Sequence, residues 1–271
     1  MRTQEEVGLG RPAQIAAWLL WGFSLILGIV TLAVTQKADL LIFADLLVPA
    51  FFTGTIGLVI LLRSPNHRMG WLLIAIGISG TLLGFSGQYA ELVFLRDPAG
   101  AYPLKWVSAW VANWGWFPFL GMVFMILPQI FPTGHPLPHR WKTVLQVTLI
   151  YIVLFTLLLA FGNVPLAVSD VMLPNPVGVI PIDELVDATV PDAIITALLL
   201  GSLIISWISL AVRYRRSRGN ERQQMKWIAF ALGVLVALFV TDSTLSIVLE
   251  GDCCGTDAFR QIGRASCRER V

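Results

Sequence analysis

Apolar residues occur along this chain in seven long runs, each separated from the next by a segment richer in polar and charged residues. A helix of roughly 20 residues spans the hydrocarbon core of a bilayer, which is about 30 Å thick. All seven runs reach that length, so the pattern predicts an all-α fold, an integral membrane bundle of about seven transmembrane helices. The predicted spans lie near residues 13–35, 41–62, 69–95, 106–131, 141–162, 190–212 and 225–250.

Prolines interrupt two of these runs. The second contains Pro49, and the fourth contains Pro118 and Pro128. A proline within a helix has no N–H to donate and crowds the carbonyl four residues earlier, so we expect kinks in both spans. The first run is too long for the core of a signal peptide and lacks a small-residue cleavage site. It is therefore predicted to be a retained anchor.

Positive charges are distributed unevenly between the two ends of the predicted spans. If the N-terminus is cytoplasmic, the inner segments hold twelve Lys and Arg residues and the outer loops hold three, Lys37, Arg96 and Lys105. Cytoplasmic loops of membrane proteins carry the excess of Lys and Arg. The bias predicts a multi-pass protein of the cell inner (plasma) membrane, with its N-terminus in the cytoplasm and the chain after residue 250 outside.

Composition agrees with a lipid-facing surface and disfavours several functions. Of the 271 residues, 56% are hydrophobic and 13% are charged, whereas an average soluble domain has about 25% charged residues. The net charge of +2 gives no argument for nucleic-acid binding. The cysteines and histidines lack the spacing of a zinc site, and no nucleotide-binding or catalytic motif occurs. We therefore expect the lipid bilayer as a partner, and no nucleic acid, metal, cofactor or catalytic residue.

The longest connection, residues 163–189, contains four carboxylates but no Lys or Arg, which suits an external loop. Its four prolines predict irregular structure, with one short helix over 183–188 opened by Pro181. After the seventh predicted span, Cys253 and Cys254 are adjacent. This pair is either incidental or a redox switch, and the strain of a disulfide between neighbours favours the first interpretation.

Four carboxylates in the predicted spans are candidates for ligand sensing. An ionised group at the centre of a membrane helix costs roughly 2.5 to 3.5 kcal/mol on insertion scales, so it needs a partner or a role. Together they would line an outward-facing pocket for a cation, a cationic ligand or protons; alternatively, they are solvated at the headgroup level. Asp242 is the deepest and is predicted to face the bundle interior. The candidates are Asp242, Glu91, Asp45 and Asp192.

Basic side chains are concentrated between the sixth and seventh predicted spans. Near a membrane, each basic residue adds about 1 kcal/mol of attraction to anionic lipid headgroups. A partner-docking role is the alternative, and periodicity gives it no support. The predicted lipid-contacting residues are Arg213, Arg215, Arg216, Arg218, Arg222 and Lys226.

Small residues in the third span indicate close helix packing. Gly80, Gly84 and Gly87 share one helix face and include a GxxxG pair. This pattern favours packing within one bundle or, alternatively, a homodimer interface.

The C-terminal residues 261–271 differ from the rest of the chain. The stretch IGRASCRERV resembles the translation of a sequencing-adapter oligonucleotide, so it is expected to be an artefact that does not belong to the fold. Residues 1–260 are expected to form the transmembrane domain, and the natural protein is expected to continue beyond it.

Four stretches together resemble the N-terminal membrane region of a family of bacterial multi-span sensor histidine kinases. The resemblance covers most of residues 63–250, and its last stretch is the most specific; His135 departs from the family pattern, which has arginine or another polar residue there. The stretches are RSPNHRMGWLL (63–73), FPTGHPLPHRWK (131–142), LPNPVGV (173–179) and RYRRSRGNERQQMKWIAFA (213–231).

This resemblance implies a further span, then a dimerising phospho-accepting helix pair and an ATP-binding domain, none of which is in this sequence. ATP and a response regulator are expected only for that absent module, and a homodimer is expected for the whole protein. The expected function is the membrane sensor or anchor of a truncated two-component histidine kinase. Whether this chain has enzymatic activity of its own is open. The alternatives are a small transporter or permease and a structural membrane protein.

Overall fold

The computed structural model describes residues 4–35, 40–96, 100–137, 140–168, 171–182, 190–219, 221–231 and 233–234. In these ranges the chain is helical apart from one short β-hairpin and the connecting turns, so the predicted all-α class is confirmed. Two compact units are present, Met1–Arg216 and Ser217–Val271. In the second unit, residues 221–231 are helical.

Three long helices form the N-terminal part of the first unit. Helix α1 spans Gln4–Val34, α2 spans Leu40–Arg63 and α3 spans Arg68–Arg96. The helix α2 continues without a break through Pro49. All three are long enough and apolar enough to cross a membrane.

Helix α3 packs against both α1 and α2. Apolar contact is provided by a buried cluster that includes Ala17, Leu61 and Ile74. Polar contacts also tie these helices together, because the hydroxyl oxygens of Ser24 and Thr81 lie 3.1 Å apart. In a bilayer, where lipid is as apolar as leucine, such contacts and close packing hold helices together.

Four glycines, Gly54 and Gly57 on α2 and Gly70 and Gly77 on α3, lie at the interface between these two helices. A Cβ atom added to Gly77 would lie 2.8 Å from the Cα of Gly54, and one added to Gly57 would lie 2.8 Å from the carbonyl oxygen of Gly70. At Gly57 and Gly77 the backbone of the facing helix therefore leaves no room for a side chain. We call these four residues the glycine seam.

The predicted glycine face of α3 extends this packing. A Cβ on Gly80 would meet Ala50 at 2.7 Å, and one on Gly84 would meet Leu47 at 3.1 Å, whereas Gly87 has open space around it. Gly80 and Gly84 thus serve packing within the bundle. The homodimer interface stays a prediction.

The fourth predicted span is broken. It consists of α4 (Lys105–Trp114), α5 (Trp116–Leu120), a π-helical segment (Gly121–Ile126) and α6 (Leu127–Ile130), with a 40° bend at Gly115. Pro118 lacks the N–H that would bond to the carbonyl of Trp114, which explains why the bend lies at this point. At the end of the π-helical segment, the N–H of Leu127 bonds to the carbonyl of Met122, five residues back.

Two further long helices complete the first unit. Helix α7 spans Arg140–Phe161 and packs on the fourth span, and α8 spans Val190–Arg216 and packs on α6 and the π-helical segment. Between them, strands β1 (Leu166–Val168) and β2 (Val171–Leu173) form an antiparallel hairpin. This hairpin replaces part of the irregular structure that was predicted for 163–189, because residues on β1 pack into a cluster with Phe94 and Ala109.

Among the described residues, five helices are long and apolar enough to cross a membrane, and the bent fourth span makes six. The chain is therefore a helical, multi-pass membrane protein. Seven spans and a cytoplasmic N-terminus stay predictions, since most of the predicted span 225–250 lies outside the described residues. The predicted short helix over 183–188, the pair Cys253 and Cys254, and the tail 261–271 also lie outside them.

Candidate functional site

A tight turn follows α6 and brings two distant parts of the sequence together. In this 131–135 turn, Gly134 has φ +75°, and its N–H bonds to the carbonyl of Ile130 at 2.8 Å. A Cβ atom on Gly134 would lie 3.1 Å from the backbone nitrogen of Met69 at the start of α3. Glycine is therefore required twice, for the left-handed backbone and for the close approach.

Arg213, near the end of α8, holds this turn. Its Nη2 donates to the carbonyl oxygens of Gln129, at 2.9 Å, and His135, at 2.6 Å, and its Nη1 donates to Oγ1 of Thr133, at 3.0 Å. The side chain is buried, with 7% of its surface exposed. Hydrogen bonds from a charged donor contribute about 1.5–3 kcal/mol each, more than neutral ones. We call this contact the Arg213 clamp.

One turn further into the bundle, Gln129 joins three helices. Its side-chain amide nitrogen donates to the hydroxyl oxygens of Thr148 on α7 and Ser206 on α8, both at 3.0 Å. Those hydroxyls donate in turn to the carbonyls of Val144 and Ser202 within their own helices. Because both hydroxyl protons are already used, only the NH₂ end of the amide can face them, which fixes its orientation. We call these contacts the Gln129 hub.

The hub is not fully satisfied. Within the described part of the chain, Oε1 of Gln129 and Oγ of Ser209 are buried without a hydrogen-bond partner. Both residues are only 1% exposed. Leaving a buried polar atom unpaired costs about 1–3 kcal/mol, so the hub combines strong contacts with uncompensated ones.

At the other end of α7, the LPNPVGV stretch (173–179) caps the helix. The side-chain amide nitrogen of Asn175 donates to the carbonyls of Ala160 and Gly162, at 3.3 and 2.8 Å, and the indole N–H of Trp110 also reaches Ala160. The last carbonyls of a helix need partners from outside it. Gly178 lies so close to this end that a Cβ would meet the Gly162 carbonyl oxygen at 2.8 Å.

The structure describes one side chain of the four predicted sensing carboxylates. Glu91, on α3, accepts a hydrogen bond from Nε2 of Gln88 at 3.3 Å. Asp45 lies on α2 and Asp192 on α8, but their side chains, and all of Asp242, are outside the described residues. A shared carboxylate pocket therefore stays a prediction.

Five of the six predicted lipid-contacting residues are exposed: Arg215, Arg216, Arg218, Arg222 and Lys226. Arg213 differs, because its guanidinium is directed to protein oxygens at the turn. A positive-inside count treats all cations of a loop alike, so it gives no means of separating this one.

The Gln129 hub was not among the sites predicted from the sequence. A signal was present, since Ser202, Ser206, Ser209 and Arg213 recur every three or four residues and thus share one face of α8. Across the described residues, no group of three or more His, Cys, Asp or Glu side chains has the arrangement of a metal site.

Comparison of the chain with protein-family models, with curated proteins and with solved structures finds no match.

Proposed function

We propose that this chain is the membrane sensor portion of a two-component sensor histidine kinase and that it passes a cue to a cytoplasmic kinase module through the end of α8. The proposal includes seven spans, a cytoplasmic N-terminus, the plasma membrane as location, and a homodimeric parent protein. ATP and a response regulator belong to the kinase module alone.

The observation that carries the proposal is the meeting of three of the four family-like stretches at one end of the bundle. Gly134, in the second stretch, packs on Met69, in the first. Arg213, which opens the fourth stretch, binds the carbonyl of His135 in the second. Residues that were singled out separately along the sequence thus form one contact network.

The mechanism follows from the position of this network. Helix α8 ends at Arg216, three residues after the clamp, and the chain then continues into the basic segment. The donor of the Arg213 clamp lies on α8, and its acceptors lie on α6 and in the turn that follows it. A displacement of α8 relative to the fourth span would therefore strain or break the clamp. A packed contact of this kind has discrete arrangements, which suits a two-state signal.

A direct test begins with the gene. The source DNA is sequenced across the codons for Arg260 and Gln261 to the stop codon, and the encoded full-length protein is assayed for ATP-dependent autophosphorylation in membrane vesicles. We expect a further span and a kinase module, and an altered phosphorylation rate in Arg213→Met but not in the exposed control Arg216→Met. A reading frame that closes without a kinase domain overturns the proposal.

The broken fourth span favours a second candidate, a small transporter, since transporters often bind substrates at discontinuous helices. Against it, residues 108–130 contain no ionisable side chain to couple ion movement. Reconstituted proteoliposomes under an imposed proton gradient would separate the two candidates: protein-dependent proton flux supports transport, and its absence alongside phosphorylation supports sensing.

A further inference from the structure

We infer that the π-helical segment Gly121–Ile126 and the Gln129 hub form a two-state device: conversion of this segment to α-helix would turn α6 and release the Arg213 clamp. The inference depends on the proposed function only for what the movement signals. The movement itself concerns this chain alone and can be tested without a kinase.

The size of the movement follows from helix geometry. A π-helical turn holds one residue more than an α-helical turn. If the segment became α-helical with its length unchanged, everything after it would rotate by about 100° and advance by about 1.5 Å. Gln129 lies three residues after the segment, so its amide would leave Thr148 and Ser206.

Several contacts hold the π-helical state. The amide of Gln129 bonds to two other helices, and the Gln129 carbonyl accepts a bond from Arg213. At the start of the segment, Gly121 lies against Ile152, where a Cβ would be 2.9 Å from the Ile152 Cδ1 atom. An irregular helix persists where its surroundings determine it in this way.

Other features keep the α-helical alternative close in free energy. Pro118, before the segment, and Pro128, after it, have no N–H to donate in either arrangement, so conversion sacrifices no backbone hydrogen bond at these two positions. The buried Oε1 of Gln129, which has no partner among the described residues, loses nothing when the hub opens. The hub is therefore strong enough to select one state but leaves a second accessible.

Release of the clamp is the consequence at the end of the bundle. The three acceptor oxygens of the Arg213 clamp belong to residues 129, 133 and 135, all after the π-helical segment. They would turn with α6, whereas Arg213 stays on α8. The end of α8 would then lose these three hydrogen bonds to the fourth span and the turn that follows it.

A one-residue deletion separates the two states. Deletion of Val123 removes the extra residue, so the segment closes as an α-helix while Gln129 keeps its place at the hub. Gln129→Leu is then made both in the chain without the deletion and in the chain that lacks Val123. Hydrogen–deuterium exchange by mass spectrometry, in lipid nanodiscs, reports on the backbone N–H groups of Phe131 and Gly134, which bond to Leu127 and Ile130. These bonds lie in and next to the turn that the Arg213 clamp holds, so they should open more often once the clamp is released.

In the chain without the deletion, we expect Gln129→Leu to accelerate exchange at these two amides about tenfold, a change that corresponds to about 1.4 kcal/mol. In the deletion background the segment has no second state, so the acceleration should stay below about threefold, near 0.7 kcal/mol. Equal acceleration in both backgrounds overturns the inference.

A matched control is deletion of Val153 in the regular helix α7, which faces outward. No π-helical residue compensates there, so this variant should misfold and exchange rapidly throughout α7. If deletion of Val123 is as disruptive as deletion of Val153, the π-helical segment has no α-helical alternative and the inference fails. Neither outcome bears on whether a kinase module exists.

Discussion

Replacement of Arg213 by methionine tests the clamp most directly. Methionine keeps much of the apolar stem and removes the guanidinium together with the three hydrogen bonds of the clamp. Thr133 and His135 are exposed, so water can replace the bond to the Thr133 hydroxyl and to the His135 carbonyl. The Gln129 carbonyl lies on a residue that is 1% exposed and has no such replacement.

The expected loss is therefore set mainly by one buried acceptor. An unsatisfied buried group costs about 1–3 kcal/mol, and removal of a buried charge returns part of its desolvation penalty. We expect Arg213→Met to lower the free energy of unfolding by about 2 kcal/mol. Arg213→Lys, which keeps the charge but not the planar fork, should lose about 1 kcal/mol.

The assay is reversible unfolding in mixed micelles, with a denaturing detergent as the variable and Arg216→Met as the control. Arg216 lies three residues later on the same helix and is exposed, so its replacement should change stability by less than about 0.5 kcal/mol. If the two methionine variants unfold at the same detergent fraction, Arg213 does not hold the turn as described.

Three further predictions concern other parts of the molecule. Gly77→Ala should destabilise the bundle by about 1–3 kcal/mol in the same unfolding assay, because the added Cβ meets the backbone of α2. Gly28→Ala, at a position with open space around it, should be neutral or slightly stabilising, and equal effects of the two variants would contradict the close approach. Asn175→Ala should speed hydrogen exchange at the end of α7 about fivefold, since two capping bonds are lost, while Val179→Ala, at a position 78% exposed, should not. A cysteine at Arg215 should react with a membrane-impermeant maleimide only from the cytoplasmic side, and labelling from outside would reverse the predicted orientation.

The long helices could be predicted from the sequence because a single physical constraint fixes them. The run predicted at 69–95 corresponds to a helix over Arg68–Arg96, and the run at 141–162 to one over Arg140–Phe161. Bilayer thickness sets the length of an apolar run, and charges mark its ends. No partner needs to be known for this inference.

Features that depend on partners could not be predicted in the same way. Pro118 and Pro128 indicated an irregular fourth span, but not that the chain would form a π-helical segment between them. Arg213 carries the same charge as Arg215, and only the packing of α8 on α6 decides which of them is buried. The hairpin at 166–173 is likewise determined by the residues that it covers.

The glycine seam restricts how this sequence can change. Most buried positions tolerate exchange among leucine, isoleucine and methionine, because a gain in volume at one site is absorbed by neighbouring side chains. At Gly54 and Gly77 no side chain is present to yield, and no smaller residue exists with which a partner could compensate. A side chain at Gly77 can be accommodated only if the helices separate, so second-site suppressors of a Gly77 variant should map to the loop that joins α2 and α3 rather than to the seam itself.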